Sequence, residues 1–352
     1  MRRFLLVPAF FLASVSGLCA TPAALFYLTD SPDGIRSFLA HSGKIDLLVP
    51  TWYNADENGL VTGAPNALVL DAAKREGVPV MPILALFGKK KFHDLAASTD
   101  AQERMNTALL RECKLHGYAG FQFDFENVDY LDRGGLTAVV ARSAEALHQA
   151  GLKLSIATVP NAPGYPGTGG FAKWIYTDWR GAYDLAALAK SVDLICLMTY
   201  DQHTRWTMPG PVAGWQWTLD NLDYALQFVP KEKLSLGIPL YGYHWYTGAP
   251  STDKTTGVES PNLSAEYIGT PNALQLATEF GAKPEWDAGD RTAFVYFYRD
   301  QMREWIFFTD LHTFRDRYQL AADRGLQGFC SWVLGTEDPE IWTFLPDRTA
   351  KH

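Results

Sequence analysis

The stretch Gly117-Tyr-Ala-Gly-Phe-Gln-Phe-Asp-Phe-Glu-Asn-Val128 alternates large apolar side chains with polar ones and ends near two carboxylic acids. On a β-strand, successive side chains point to opposite faces, so Gln122, Asp124 and Glu126 share one face and three phenylalanines share the other. The phenylalanine face predicts packing against a hydrophobic layer, whereas the polar face points elsewhere. The sequence therefore predicts a buried strand whose carboxyl end presents a pair of acids.

Asp124 and Glu126 lie two positions apart, which predicts carboxylates about 6 to 7 Å from each other. At an effective dielectric near 20, two such charges repel by about 3 kcal/mol, enough to raise one pKa by about two units. One proton then stays available near neutral pH, as a general acid requires. The alternative interpretation is a strand end whose acids are solvated or paired with an arginine.

Short apolar, β-branched or aromatic runs recur along the chain and alternate with helix-like segments. Runs of this kind are typical of fully buried parallel strands. Eight repeats predict an α/β fold of the (β/α)8 TIM-barrel type, with a doubly wound open sheet as the alternative. The eight runs are 24–29, 45–53, 78–86, 118–128, 152–159, 192–200, 234–241 and 326–334.

One connection is too long for a loop of such a barrel. Residues 247–309 contain a helix-like segment, 272–280, and strand-like segments at 293–298 and 304–308. We expect this region to form a small α+β subdomain inserted between strands seven and eight, where it would make one wall of a cleft. Residues 21–352 would then form one catalytic barrel with a single insertion.

The first twenty residues have the pattern of a secretory signal peptide, with Arg2 and Arg3, an apolar stretch, and small residues before a possible cleavage site after Ala20. An apolar stretch of about 12 residues is too short to span a bilayer. We therefore expect residues 1–20 to be removed from a secreted or periplasmic protein that does not insert into a membrane. A monomer is the expected state.

The charge of the chain argues against several partners. It carries 31 Lys and Arg against 39 Asp and Glu, and loss of Arg2 and Arg3 would leave 29 against 39, a net charge of −10. Such a protein is a poor ligand for nucleic acid or an anionic membrane, whereas a neutral or mixed polymer fits.

Three cysteines follow the signal-like segment, Cys113, Cys196 and Cys330, and their spacing matches no metal site. They are expected to be buried thiols, and a pairing of Cys196 with Cys330 stays open. No metal or cofactor is expected.

In a (β/α)8 barrel, the carboxyl ends of all strands meet at one mouth, where active sites lie. Most of the eleven tryptophans fall at these ends or in adjacent loops. Their concentration favours a groove that stacks sugar rings, although for any single tryptophan core packing is the better interpretation. The residues are Trp52, Tyr53, Tyr200, Asp201, Tyr241, Tyr243, Trp245 and Trp332 at strand ends, and Trp174, Trp179, Trp206, Trp215 and Trp217 in loops.

Four short motifs follow one another along the predicted strands. They are Gly120-Phe-Gln-Phe-Asp-Phe-Glu126, Met198-Thr-Tyr-Asp201, Gly237-Ile-Pro-Leu-Tyr-Gly242 and Gly328-Phe-Cys-Ser-Trp332. In this order they resemble glycoside hydrolase family 18 over nearly the whole chain beyond residue 20. The resemblance is closest to the spore-cortex type of peptidoglycan N-acetylglucosaminidase. It implies a chitinase-like enzyme acting on glycans that contain β-linked N-acetylglucosamine, either chitin or peptidoglycan.

The resemblance further implies retaining hydrolysis by substrate assistance, in which the 2-acetamido carbonyl of the sugar attacks its own anomeric carbon. Glu126 would be the general acid and base, Asp124 would orient the acetamide and stabilise the positive intermediate, and Tyr200 would hold the acetamide carbonyl. Where the family usually has further acids, Ala119 and Gln122 stand here, which shortens the proton relay. The predicted substrate contacts are Gln122, Asn127, Asp201, Tyr241, Trp332, Trp52 and Trp215.

Two alternatives remain open. Asp201, at the tip of another strand, could serve as a nucleophile, although its neighbour Tyr200 better suits recognition of an acetamide. The chain could also be a catalytically weak or inactive carbohydrate-binding protein, because a fold does not prove activity. Such proteins usually lose the terminal glutamate, whereas Glu126 is present.

Overall fold

The computed structural model describes residues 21–162, 164–252 and 255–348, and the predicted signal peptide, residues 1–20, lies outside the described residues. The strands within those ranges are β1 (Ala23–Leu28), β2 (Leu47–Pro50), β3 (Tyr53–Ala55), β4 (Val61–Gly63), β5 (Ile83–Phe87), β6 (Gly120–Glu126), β7 (Lys153–Thr158), β8 (Leu194–Leu197), β9 (Leu234–Pro239), β10 (Tyr241–Thr252), β11 (Glu259–Gly269), β12 (Glu285–Asp287), β13 (Thr292–Arg299), β14 (Met302–Phe308) and β15 (Gly328–Trp332). The α-helices are α1 (Pro32–His41), α2 (Ala67–Glu76), α3 (Lys89–Ala97), α4 (Thr99–His116), α5 (Arg133–Gln149), α6 (Gly170–Ile175), α7 (Leu185–Ser191), α8 (Trp215–Ala225), α9 (Thr270–Glu279), α10 (Leu311–Arg324) and α11 (Ile341–Phe344).

The first sheet is a parallel barrel, which confirms the predicted fold class. Its strands follow the order β2-β1-β15-β9-β8-β7-β6-β5, and the short hairpin of β3 and β4 continues from β5. A parallel bridge between Leu48 and Val80 joins β2 to the segment before β5 and closes the barrel. The predicted second strand is divided in two, because the chain turns between Pro50 and Tyr53.

Strand β6 shows the alternation that its sequence predicts. Its three phenylalanines are fully buried in the core between the barrel and the helices, while Gln122 and Asp124 are buried on the opposite face. Gly120 begins the strand with a φ of 152°, and a Cβ there would lie 1.8 Å from the carbonyl oxygen of Lys153 on β7. A residue with a side chain therefore does not fit where β6 and β7 approach each other.

The second sheet is antiparallel, with the order β11-β10-β14-β13-β12. Helix α9 packs against one face, where its alanines meet Val295, Phe297, Ile306 and Phe308. The predicted segments 272–280, 293–298 and 304–308 correspond to α9, β13 and β14.

The start of the second sheet differs from the predicted boundary. The sheet begins at Tyr241 rather than at residue 247, because β10 continues the apolar run of β9 after a single intervening residue, Leu240. The partner strand β11 escaped prediction because its serine, asparagine and proline residues are uncommon in strands. Among all helices of the described ranges, none is long and apolar enough to cross a membrane.

Candidate active site

A pocket of about 230 Å³ opens at the carboxyl ends of the barrel strands. Strands from around the barrel contribute to it, because a parallel barrel brings the ends of all its strands to the same side. The structure brings six of the predicted site residues together there: Asp124, Glu126, Tyr200, Asp201, Tyr241 and Trp332.

Asp124 lies at the bottom of the pocket and is buried. Its Oδ1 atom accepts no hydrogen bond from any described residue. Burial removes the water that would stabilise the charged form, and this raises the pKa of Asp124 to about 7. The carboxyl group can therefore be neutral or charged near neutral pH, depending on its surroundings.

Glu126 ends β6 above Asp124. Burial raises the pKa of Glu126 well above its usual value, and the charges of Asp124 and Asp201 raise it further. The sequence predicted a raised pKa from charge repulsion, whereas in the structure burial is the larger cause. A carboxylic acid of this kind keeps its proton to a higher pH than a free glutamate does and can donate it to a ligand in the pocket.

Asp201 and Tyr241 form a hydrogen-bonded pair on the pocket wall. The Tyr241 hydroxyl donates to Asp201 Oδ1 at 2.5 Å, and Asp201 has a left-handed backbone with a φ of 61°. Burial raises the pKa of Asp201, although the hydrogen bond from Tyr241 and the charge of Arg205 oppose the shift. Asp201 is therefore held in place as a hydrogen-bond acceptor.

Tyr200 and Trp332 provide the remaining predicted walls. Burial raises the pKa of Tyr200 well above its usual value, so its hydroxyl stays protonated and can donate a hydrogen bond. The Trp332 ring, at the end of β15, packs on Tyr27 with 5.4 Å between ring centroids. Together these aromatic groups form an apolar wall beside the two carboxyl groups of β6.

Sequence reasoning missed five residues of the pocket wall. Tyr27 lies on β1, and its buried hydroxyl has no hydrogen-bond partner within the described part of the chain. Phe87 is the last residue of β5 and is about half exposed. The strand-end rule that located Tyr200 would have found both residues if it had been applied to the first and third predicted strands. The five residues are Tyr27, Ile83, Phe87, Ala157 and Met198.

Two tryptophans predicted to contact substrate, Trp52 and Trp215, do not line this pocket. Trp52 is 5% exposed in the outer core, packs near Tyr118, and donates from its indole nitrogen to Asp30 at 3.2 Å. Trp215 begins α8, where the guanidinium of Arg291 lies 4.0 Å above its ring. Both rings are engaged by the protein itself, as packing tryptophans usually are.

Gln122 and Asn127, which were also predicted to contact substrate, do not line the pocket either. Gln122 is fully buried beneath the pocket, and its Nε2 atom donates to Ser155 Oγ at 2.8 Å. Asn127 follows β6 and donates to the backbone oxygen of Asp178 at 3.1 Å. Gln122 supports the strand from below, and Asn127 orients the loop that follows it.

The cysteines are buried free thiols, as expected. Cys196 and Cys330 share the small apolar cluster inside the barrel that includes Tyr27. Both are free thiols and do not form a disulfide with each other. No group of three or more His, Cys, Asp or Glu side chains in the described ranges is arranged to hold a metal ion.

A TIM barrel with one buried and one partly buried carboxyl group beside an aromatic wall is an arrangement that many glycoside hydrolases use. The sequence profile described as Glycosyl hydrolases family 18 matches residues 37–337, and the chain belongs to this family. The predicted family and the predicted glycosidase class are therefore confirmed.

Relatives in sequence include two Bacillus subtilis proteins. The glycosylase YvbX is 24% identical over 92% of this chain and 90% of its own length. The cortical fragment-lytic enzyme is 23% identical over 84% of this chain and 66% of its own length.

Solved structures share the fold. The spore cortex-lytic enzyme SleL of Bacillus megaterium QM B1551 superposes with a TM-score of 0.78 at 20% identity, covering 92% of this chain and 73% of that one. A chitinase from Chromobacterium violaceum superposes with a TM-score of 0.79 at 24% identity, covering 92% of this chain and 98% of that one. At these identities the likeness establishes the fold alone.

Proposed function

We propose that the protein is an exported hydrolase of glycans that contain β-linked N-acetylglucosamine, and that it retains configuration through substrate assistance. The observation that carries the proposal is the pair of carboxyl groups, Glu126 and Asp124, both with raised pKa values, in a pocket walled by Tyr200 and Trp332. A sequence relative named cortical fragment-lytic enzyme supports peptidoglycan as the polymer. The signal-like pattern of residues 1–20 supports export.

Glu126 begins the reaction as the acid. Its raised pKa keeps the proton in place until a glycosidic oxygen arrives, and transfer of that proton lets the leaving sugar depart. The acetamide carbonyl of the remaining sugar closes onto the anomeric carbon. Glu126, now ionised, takes a proton from the attacking water in the second half-reaction.

Asp124 acts on the acetamide rather than on the glycosidic oxygen. Its unpartnered Oδ1 atom is a free acceptor for the acetamide N–H within a buried site. A carboxylate there orients the carbonyl for attack and stabilises the positive charge that develops on the ring. The Tyr200 hydroxyl would donate to the acetamide carbonyl from the opposite wall, and the Trp332 ring would stack under the reacting sugar.

The structure favours this path over a nucleophilic role for Asp201. Asp201 accepts a short hydrogen bond from Tyr241, and burial raises its pKa, so the ionised form that a nucleophile requires is less populated and one of its oxygens is already engaged. Mass spectrometry of the rapidly quenched enzyme tests the point. A glycosyl ester on Asp201 would replace substrate assistance with covalent catalysis.

The test of the whole proposal is Glu126→Gln, with Glu103→Gln on the exposed surface of α4 as the matched control. Digestion of N-acetylglucosamine oligomers and of purified peptidoglycan should fall at least about 10³-fold in the first variant and stay unchanged in the second. NMR of the fresh product should show the β-anomer.

Residual turnover within about tenfold of the parent would remove Glu126 from the acid role, since general acid catalysis contributes more than that. Binding of both polymers without turnover by the parent would instead support the carbohydrate-binding alternative.

A further inference from the structure

The second sheet presents aromatic side chains on a face that is ordinarily polar when an antiparallel sheet packs on one side only. The opposite face of β13 and β14 already forms the contact with α9, so the outward rings add nothing to that core. We call the outward residues of the two strands the outer aromatic face, which consists of Phe294, Tyr296, Tyr298, Arg303, Trp305 and Phe307.

Two of the five rings of this face are exposed, and Phe294, Trp305 and Phe307 are partly buried beside them. Tyr296 is 38% exposed and Tyr298 is 53% exposed. The guanidinium of Arg303 lies 5.3 Å from the ring centroid of Tyr296, 5.4 Å from that of Tyr298 and 5.5 Å from that of Trp305. Arg303 Nη2 also donates to the Tyr298 hydroxyl at 2.7 Å. An exposed apolar patch that is organised in this way indicates a binding surface.

A continuous series of ring contacts leads from the pocket to the outer aromatic face. The series lies on one side of the second sheet, because its members alternate along β10 and pair across to β14. Trp245, in the middle of the series, is buried, and its indole nitrogen donates to the backbone oxygen of Thr207 in the covering loop. A ligand can therefore reach the series only at its two ends, at the pocket and at the outer aromatic face. The centroid distances are 6.4 Å for Tyr200–Tyr241, 5.9 Å for Tyr241–Tyr243, 5.7 Å for Tyr243–Trp245, 6.1 Å for Trp245–Phe307, 6.2 Å for Phe307–Trp305 and 5.1 Å for Trp305–Tyr296.

We infer that the outer aromatic face binds the glycan strand of peptidoglycan and thereby holds the polymer beside the pocket. The inference rests on the proposed function. Flat rings with hydroxyls at their edges match a pyranose, whose C–H face stacks while its hydroxyls form hydrogen bonds. Arg303 is the cation among the six residues, and peptidoglycan strands carry carboxylates on their peptide substituents, whereas chitin is uncharged. Continuity with the pocket favours a substrate chain over an unrelated protein.

The decisive comparison uses two double variants, Tyr296→Ser with Tyr298→Ser and Tyr296→Phe with Tyr298→Phe. Binding to purified sacculi is measured by co-sedimentation, with Glu126→Gln present in all proteins so that the polymer is not digested. Loss of two stacked rings should weaken binding about tenfold, while the phenylalanine pair, which keeps the rings, should bind within about twofold of the parent. Without Glu126→Gln, both pairs should hydrolyse a short soluble oligomer at the parental rate, which also shows that they fold.

Arg303→Gln identifies the polymer. It should reduce binding to sacculi and leave binding to chitin unchanged. Equal binding of chitin and sacculi, with no effect of Arg303→Gln on either, would overturn the assignment to peptidoglycan. If the serine double variant binds sacculi as well as the parent protein does, the outer aromatic face is not a glycan-binding surface. The same conclusion follows if sedimentation velocity shows that the parent protein is a dimer and that the serine double variant is a monomer. Failure of the proposed function is distinct, because it appears as absence of oligomer hydrolysis in the parent.

Discussion

The barrel sheet and the second sheet differ in which side chains they bury and which they expose to solvent. In the barrel, the phenylalanines of β6 face the core and the carboxyl group of Asp124 is buried. In the second sheet, apolar residues that include Phe297 and Phe308 face α9, while Tyr296 and Tyr298 on the opposite face are exposed. Proton transfer benefits from a dry site because burial raises a carboxyl pKa, whereas stacking on a polymer requires rings that the polymer can reach.

Substitutions on the two faces of β13 should differ most in their effect on stability. Phe297→Ala removes a ring that is 4% exposed and stacked on Phe280 at 4.5 Å, and it should cost about 3 to 5 kcal/mol of unfolding free energy. Tyr298→Ala, one position along, should change the free energy by about 0.5 kcal/mol or less. Urea denaturation of both variants measures the difference. Equal losses would show that the outer aromatic face is part of the core and not a surface.

Asp124→Asn should separate charge from shape in the barrel pocket. An asparagine keeps the size of the side chain but cannot carry the negative charge that stabilises the intermediate. We expect kcat for a soluble oligomer to fall about 10²-fold, with KM changed much less. Steady-state kinetics at several pH values provide the measurement. A change confined to KM would assign Asp124 to binding alone.

The same variant should alter how stability depends on pH. The folded pKa of Asp124 is about 7, above the usual value for an aspartate, so the folded chain holds a proton that the unfolded chain releases. This contribution to stability is fully present below the unfolded pKa and is lost as pH rises towards 7. Asp124→Asn should therefore gain stability relative to the parent between about pH 4 and pH 8, on the order of 4 kcal/mol.

Thermal or urea unfolding of the two proteins at both ends of that range tests the sign. A parent that gains stability relative to Asp124→Asn with rising pH would mean that Asp124 is stabilised as a carboxylate in the folded state. The glutamate control Glu103→Gln, on the exposed side of α4, should show no such trend.

The pattern of apolar runs in the sequence was sufficient to predict most of the fold. Period-two alternation in β6 and the apolar runs of the other barrel strands depend on local side-chain order, so the barrel could be predicted before any contact was known. The start of the second sheet could not be predicted in this way, because β10 continues directly from the apolar run of β9 and only Leu240 separates the two strands. Only the pairing of β10 with β11 and β14 shows where the barrel ends.

The site was predictable to the extent that strand ends define the mouth of a barrel. That rule located Glu126, Tyr200 and Trp332 in the pocket. It also named Trp52 and Trp215, which do not line the pocket, because whether a tryptophan near the mouth faces the pocket or the core depends on neighbours that are distant in sequence.

By itself, the amino-acid order determined that two carboxyl groups share one face of a strand that ends at a barrel mouth, since β-strand alternation is a local property of the chain. It also determined the family, through four motifs in order. The tertiary structure alone decided that burial, more than mutual repulsion, raises the pKa of Glu126, and that Asp201 is held by Tyr241. It also decided that rings on β13 and β14 extend the aromatic side of the pocket. Burial and cross-strand pairing are set by residues far apart in the chain, which only the folded molecule brings together.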